Sequence, residues 1–112
     1  MQITGIGRIL FWQDGSLWIG LSVTPVDLHA HHAIQIGLGL NAPVQFRPDA
    51  SAPWAQYPAA VIPPNLPHCF QSPGKQVANI FVEPESLRGH RIIRRFGSGA
   101  IAGLAEVEAQ SL

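Results

Sequence analysis

The stretch "DLHAHHAIQIGLGL", residues 27–40, decides the fold of this chain. It holds three of the five histidines, with a glutamine shortly after. Read as one long strand, its side chains alternate between two faces, so His29, His31 and Gln35 share a face and His32 takes the other. Imidazoles two residues apart on a strand stand close enough to reach one ion, at about 2.0–2.2 Å each. Gln35 lies two strand steps further along, too far on a straight strand. The strand therefore has to bend or twist, and Gly37 and Gly39 ease curvature or a bulge.

The surroundings read as more short strands. Ten prolines and eleven glycines divide the 112 residues into pieces rich in β-branched and aromatic side chains, the pattern of an all-β domain. "RILFWQDGSLWIGL" reads as a hairpin turning at Asp14-Gly15, the dipeptide a type I′ turn favours. "LNAPVQFR" turns at Asn41 to Pro43 into a strand, and "PDASAPWAQ" reads as loop. "YPAAVIPPNLPHCF" holds an apolar strand, a proline-bounded turn and a strand restarting at His68. "QSPGKQ" is a turn and "VANIFVEP" a strand. "PESLRG" reads as one helical turn stopped by Gly89, followed by a solvated "RGHRIIRRF" with Ile92 and Ile93 packed inward. In "SGAIAGLAEVEAQSL", Ile101, Leu104 and Val107 recur at three-residue steps, which predicts a short C-terminal helix over 98–112 after a β domain spanning 1–97. The count is about seven or eight strands. So many in one small domain close into a barrel or pack as two sheets to hide their edges.

Composition narrows the function. The length predicts one domain, and 46% hydrophobic against 12% charged residues is enough to build a core. The formal net charge is zero. That argues against direct nucleic-acid binding or an anionic membrane surface, which need a basic excess. No apolar run approaches the roughly 20 residues of a membrane span. The N-terminus does not read as a signal peptide, because Arg8, Gln13 and Asp14 interrupt its apolar run. The single Cys69 precludes an intrachain disulfide and fits a cytoplasmic protein. It reads as a small buried side chain rather than a nucleophile.

A second motif, "PPNLPH" at 63–68, brings His68 toward the first. Together His29, His31, Gln35 and His68 form a three-imidazole, one-amide set. Such donors suit a divalent transition metal: zinc, iron, nickel, copper or manganese. A polar pocket without metal stays open as the other reading, and Gln35 divides between ligand and hydrogen-bonding roles. Trp54, Phe46, Phe70 and Phe81 are the candidate pocket-lining aromatics. His32 reads as a surface or inter-sheet residue, and His90 as part of a solvated segment.

These two motifs resemble those of the cupin superfamily, which implies a small jelly-roll β-barrel with a metal at its centre. His29 and His31 match the histidine pair of the first motif, and Gln35 stands where the family has an acid. Pro63, Asn65 and His68 match the second motif with Asn in place of Gly. A neutral amide holds a metal more weakly than a carboxylate and cannot act as a general base. Asn65 is the milder departure, because Asn tolerates the left-handed backbone of a turn glycine. Over residues 15–95, "HAHHAIQIGLGL…VQFRP…YPAAVIPPNLPHCFQSPGKQVANIFVEPES" is similar to the N-terminal sensory domain of AraC-type transcription regulators. That resemblance implies a metal-binding domain for a small-molecule ligand and a homodimer. It also implies a linker helix beginning near the end of this sequence, with the DNA-binding part absent. A small metal-dependent cupin enzyme (oxygenase, isomerase or lyase) is the alternative, and an empty structural barrel is a third.

Overall fold

The computed structural model describes residues 5–105. Ten strands and one helix follow in order: β1 (Gly5–Trp12), β2 (Gly15–Ser22), β3 (Val26–His29), β4 (Ile34–Gly39), β5 (Val44–Arg47), β6 (Ala55–Tyr57), β7 (Ala59–Ile62), β8 (His68–Gln71), β9 (Gln76–Val82), α1 (Leu87–Phe96) and β10 (Ala102–Leu104). The fold is mostly β, in two antiparallel sheets. The larger has the order β1-β2-β9-β4-β7-β10 and the smaller β3-β8-β5-β6.

The expected long strand over 26–40 is two strands. β3 pairs with β8 in the smaller sheet, and β4 pairs with β7 and β9 in the larger. The chain changes sheets through Ala30–Ala33. This crossing is the bend that Gln35 needed, and it is far sharper than a glycine-eased curve. Gly37 serves packing instead: a Cβ there would lie 2.9 Å from Cζ of the buried Phe46.

The middle of the larger sheet, β9-β4-β7, is buried on both faces. Ile34, Ile36, Ala59, Val61 and Val82 point outward and are covered by Ile92 of α1, with Ile93 and Phe96 beside it. Val44, Phe46, Ala60, Ile62, Phe70 and Val77 fill the space between the sheets. Two-sided burial explains why "AAVI" in β7 is continuously apolar rather than alternating. Each fully buried Ile or Val contributes roughly 1.5–3 kcal/mol by leaving water.

Three expectations need correction. The β1–β2 register pairs Trp12 with Gly15, so Gln13 and Asp14 form the corner. Positive φ is confined to Asn65, Gly74 and Gly97 among the described residues, so the turn is not type I′. Gly15 instead admits β9, since a Cβ there would meet the Phe81 carbonyl oxygen at 2.2 Å.

The helix is the second correction. It runs through Gly89 to Phe96 rather than stopping at the glycine. Gly89, Ile92, Ile93 and Phe96 make its inner face, and the Ser86 side chain caps it by accepting from the Gly89 N–H at 2.9 Å. Gly97 ends it at φ 83°, with Arg94 and Arg95 in the last turn beside the negative end of the helix dipole.

Third, the helix expected over 98–112 is not found in 98–105. Ala102–Leu104 instead extends the larger sheet along β7 and buries Leu104. Gly99 and Gly103 weaken a helix there, while the open edge of β7 offers a hydrogen-bonding ladder. Residues 106–112, which include Val107, lie outside the described residues. No helix among the described residues is long and apolar enough to cross a membrane.

Candidate metal centre and cavity

The sheet change places the three histidines around one point. His29 ends β3, and its cross-strand neighbour in β8 is His68. His31 sits in the crossing segment. The ring centroids are 4.4 Å apart for His29 and His68, 5.0 Å for His31 and His68, and 5.5 Å for His29 and His31. One nitrogen from each ring lies within 4.8 Å of the others.

The same local device orients all three rings. The Nδ1–H of His29 donates to the Asp27 carbonyl at 2.8 Å, that of His31 to the Ala33 carbonyl at 2.9 Å, and that of His68 to the Leu66 carbonyl at 2.8 Å. A proton committed at Nδ1 leaves a lone pair on each Nε2. Such backbone anchoring fixes the tautomer and orientation that metal-ligating imidazoles require. His68 Nε2 is buried and has no hydrogen-bond partner among the described residues. An orphaned buried acceptor costs about 1–3 kcal/mol, which a bound cation would relieve. Burial also pushes the His68 pKa down to about 4, with repulsion from His29 and His31 adding and the Leu66 carbonyl opposing. His68 is therefore neutral at neutral pH, the form that binds metal.

Gln35 completes the polar end. Its Oε1 is 3.0 Å from His31 Nε2, and its Nε2 donates to Asn79 Oδ1 at 2.8 Å. With the His31 proton on Nδ1, two lone pairs face each other across that contact. A cation shared between them, or a paired flip of the Gln35 and Asn79 amides, removes the conflict. Two ligand atoms about 2.1 Å from one ion and at right angles are about 3.0 Å apart, so the spacing suits adjacent positions of an octahedral site. His29, His31 and His68 are thus placed to hold a metal ion, with Gln35 Oε1 beside His31 Nε2.

A cavity of about 310 Å³ opens beside this group. Phe70 and Phe81 line it. Phe46 is fully buried in the core behind it, with its ring centroid 6.1 Å from that of His68. Trp54 is elsewhere, under the Arg47 guanidinium at 4.1 Å, because β6 lies at the far edge of the smaller sheet. Cys69 is buried and unpaired. His32 is exposed and contacts Glu85, whose pKa that hydrogen bond lowers. His90 is exposed on α1.

Sequence reasoning missed Ile9, Trp18, Ser22, Val26 and Asn79 as cavity residues. Asn79 carried a readable signal: a lone amide in the middle of "VANIFV" is either exposed or hydrogen-bonded when buried. Trp18 and Ser22 share parity on β2, which marks one wall only once the sheet partner is known.

Neither a protein-family model nor a curated protein matches the chain. Among solved structures, protein NMB1881 from Neisseria meningitidis is similar, with a TM-score of 0.59 over 74% of this chain and 89% of that one, at 11% identity. A likeness at that identity is one of fold.

Proposed function

We propose that this chain is a cupin-type domain that holds one divalent transition metal with His29, His31, His68 and Gln35, and uses the ion to bind a small-molecule effector. The carrying observation is the convergence of three imidazoles, each with Nδ1 on a backbone carbonyl, around the unpartnered His68 Nε2. The strand order supports the jelly-roll reading: β2-β9-β4-β7 facing β3-β8-β5-β6 is the arrangement made by two interlocked Greek keys. The metal supplies a Lewis-acidic point for an oxygen or nitrogen donor of the ligand. The protein's residues fix the imidazole tautomers and line the cavity that a ligand would enter.

The sensory-domain resemblance favours a binding role, as part of an AraC-type regulator acting as a homodimer in the cytoplasm. For the enzyme alternative, no carboxylate lines the cavity among the described residues to serve as a general acid or base beside the histidines. Elemental analysis of the purified chain tests the reading. About one metal per chain, absent in His31→Ala, is expected. Failure to load any of the five candidate metals would leave a polar pocket without an ion and end the metal reading.

A further inference from the structure

β1 is an edge strand with the side chains of a central one. It ends the larger sheet, with no neighbour beyond it among the described residues. Strands buried on both faces read as continuous apolar runs, whereas edge strands are ordinarily blunted by charges, proline, a bulge or short length. β1 has eight residues, GIGRILFW, and its register with β2 runs unbroken from Gly5 to Trp12. Its one charge is Arg8. Ile6 and Leu10 are 64% and 60% exposed on one face of the strand, and Ile9 and Phe11 are 50% and 76% exposed on the other.

The free edge presents a defined hydrogen-bonding set. Gly7 and Gly20 oppose each other so closely that a Cβ on Gly20 would lie 2.5 Å from Gly7 Cα. Close approach marks the non-hydrogen-bonded positions of an antiparallel pair. Gly7, Ile9 and Phe11 therefore turn their N–H and C=O groups away from β2, into the open edge, where another strand can pair.

The area fits a second copy. Large side chains bury on the order of 150–250 Å² each, so the exposed parts of these four residues with Trp12 and Ile19 amount to roughly 600 Å². Two copies bring roughly 1,200 Å², the size at which stable interfaces begin. The chain's own residues 106–112 fit less well. They follow β10 at the opposite edge, five strands or about 24 Å away over the outer face. Fully extended they span at most about 25 Å, enough to reach β1 but not to run along it.

We propose that β1 pairs with β1 of a second copy, antiparallel and centred on Ile9, joining the two larger sheets edge to edge. Charge and length select this register. Centring on Arg8 sets two arginines directly opposite, which is unfavourable, and centring on Leu10 leaves Ile6 and Gly7 beyond the partner's strand. Centred on Ile9, Ile6 meets the partner's Trp12 and Gly7 meets the partner's Phe11. That ring covers the bare glycine, a pairing that compensates glycines at sheet edges. Gly7 lies between Gly5 and Ile9 on the face that lines the cavity, so the partner's Phe11 adds to the cavity's mouth. The pairing rests on the reading above only for the homodimer, to which it gives a surface, and it needs no metal.

Sedimentation velocity and cysteine cross-linking of the full chain test this. The parent is expected to dimerise. Ile9→Lys, which sets two ammonium groups across the axis, should weaken the dimer by at least about tenfold, with circular dichroism confirming the fold. Should that variant unfold, cross-linking decides. In the proposed register the two Ile9 Cα atoms are about 5.5 Å apart, within disulfide reach, while the two Arg8 Cα atoms are about 8 Å apart and beyond it. Ile9→Cys is therefore expected to cross-link under mild oxidation and Arg8→Cys is not, the native Cys69 being buried. Cross-linking of Arg8→Cys alone would overturn the register. A dimer untouched by Ile9→Lys, with no cross-link at Ile9→Cys, would overturn the surface and leave the homodimer standing. A monomeric parent would overturn the pairing altogether. Dimerisation on removing residues 106–112 would then name the chain's own tail as the occupant of β1, and a persistent monomer would leave the strand to a different protein.

Discussion

The backbone N–H of Asn65 donates to the carbonyl oxygen of His31 at 2.7 Å. This bond ties the proline turn before β8 to the crossing between β3 and β4, and so joins the two segments that carry the histidines. Asn65 reaches it at φ 59°, the only non-glycine residue at positive φ among those described. The left-handed backbone costs most residues about 1–2 kcal/mol, and Asn or Gly less. Asn65→Gly is therefore expected to be nearly neutral, and Asn65→Val to lose about 1–2 kcal/mol in urea unfolding. The same Val variant should hold metal more weakly, because the turn that relaxes is bonded to His31. Equal stability of the two variants would show that the turn conformation is not what fixes this junction.

Asn79 is a support of the site rather than a ligand. It accepts from Gln35 and so aims Oε1 at His31. Outer partners of this kind are worth about 10–100-fold in metal affinity. Asn79→Ala should weaken metal binding by at least about tenfold with the three histidines intact, measured by competition with a chelating dye. Gln35→Glu should move affinity the other way, since a carboxylate brings charge to the ion and Asn79 can turn its amide to donate. An Asn79→Ala variant with unchanged affinity would place Gln35 outside the coordination shell.

Acid should destabilise the metal-free chain through His68. Its folded pKa of about 4 lies below the ordinary 6.5, so between those values unfolded chains take up a proton that folded chains refuse. The stabilisation is complete above pH 6.5 and is lost as pH falls through about 4. Its size is about 2 kcal/mol, less than the full shift would give, because water in the neighbouring cavity screens the charge. Urea midpoints from pH 7.5 to 4 should fall in the parent and fall less in His68→Leu. Parallel slopes in the two would assign the acid sensitivity to other groups.

The histidine cluster was legible in the sequence because its ligands sit in two short motifs whose spacing carries chemistry. The sheet change between them was not, since "VDLHAHHAIQIGLGL" contains no proline or glycine at the break. What breaks the strand is tertiary: β8 claims one half and β7 with β9 claim the other. Trp54 misled for a related reason. Its loop is near the second motif in sequence, but β6 pairs at the far edge of the smaller sheet. The tail misled because three-residue apolar steps fit a helix, while the same Leu104 satisfies a strand that fills the edge of β7.

Gly89 shows how a glycine deceives a helix reading, and it yields the last prediction. In the first turn of α1 it sacrifices up to about 1 kcal/mol of helix propensity relative to Ala. It is kept because the helix lies directly against the end of β9: a Cβ would sit 2.2 Å from the Glu83 carbonyl oxygen and 2.8 Å from Pro84 Cα. That carbonyl cannot move freely, since it accepts from the Ser86 N–H at 3.1 Å and from the Ser86 hydroxyl at 2.7 Å. Gly89→Ala must therefore push α1 off the sheet and loosen Ile92 from Ile34 and Val82, or break the cap. Overpacking of this kind costs typically about 1–3 kcal/mol, more than the propensity gain returns. The urea midpoint should fall with an unchanged slope. A rise would mean that the helix has slack against β9, and that propensity rather than close approach governs this position.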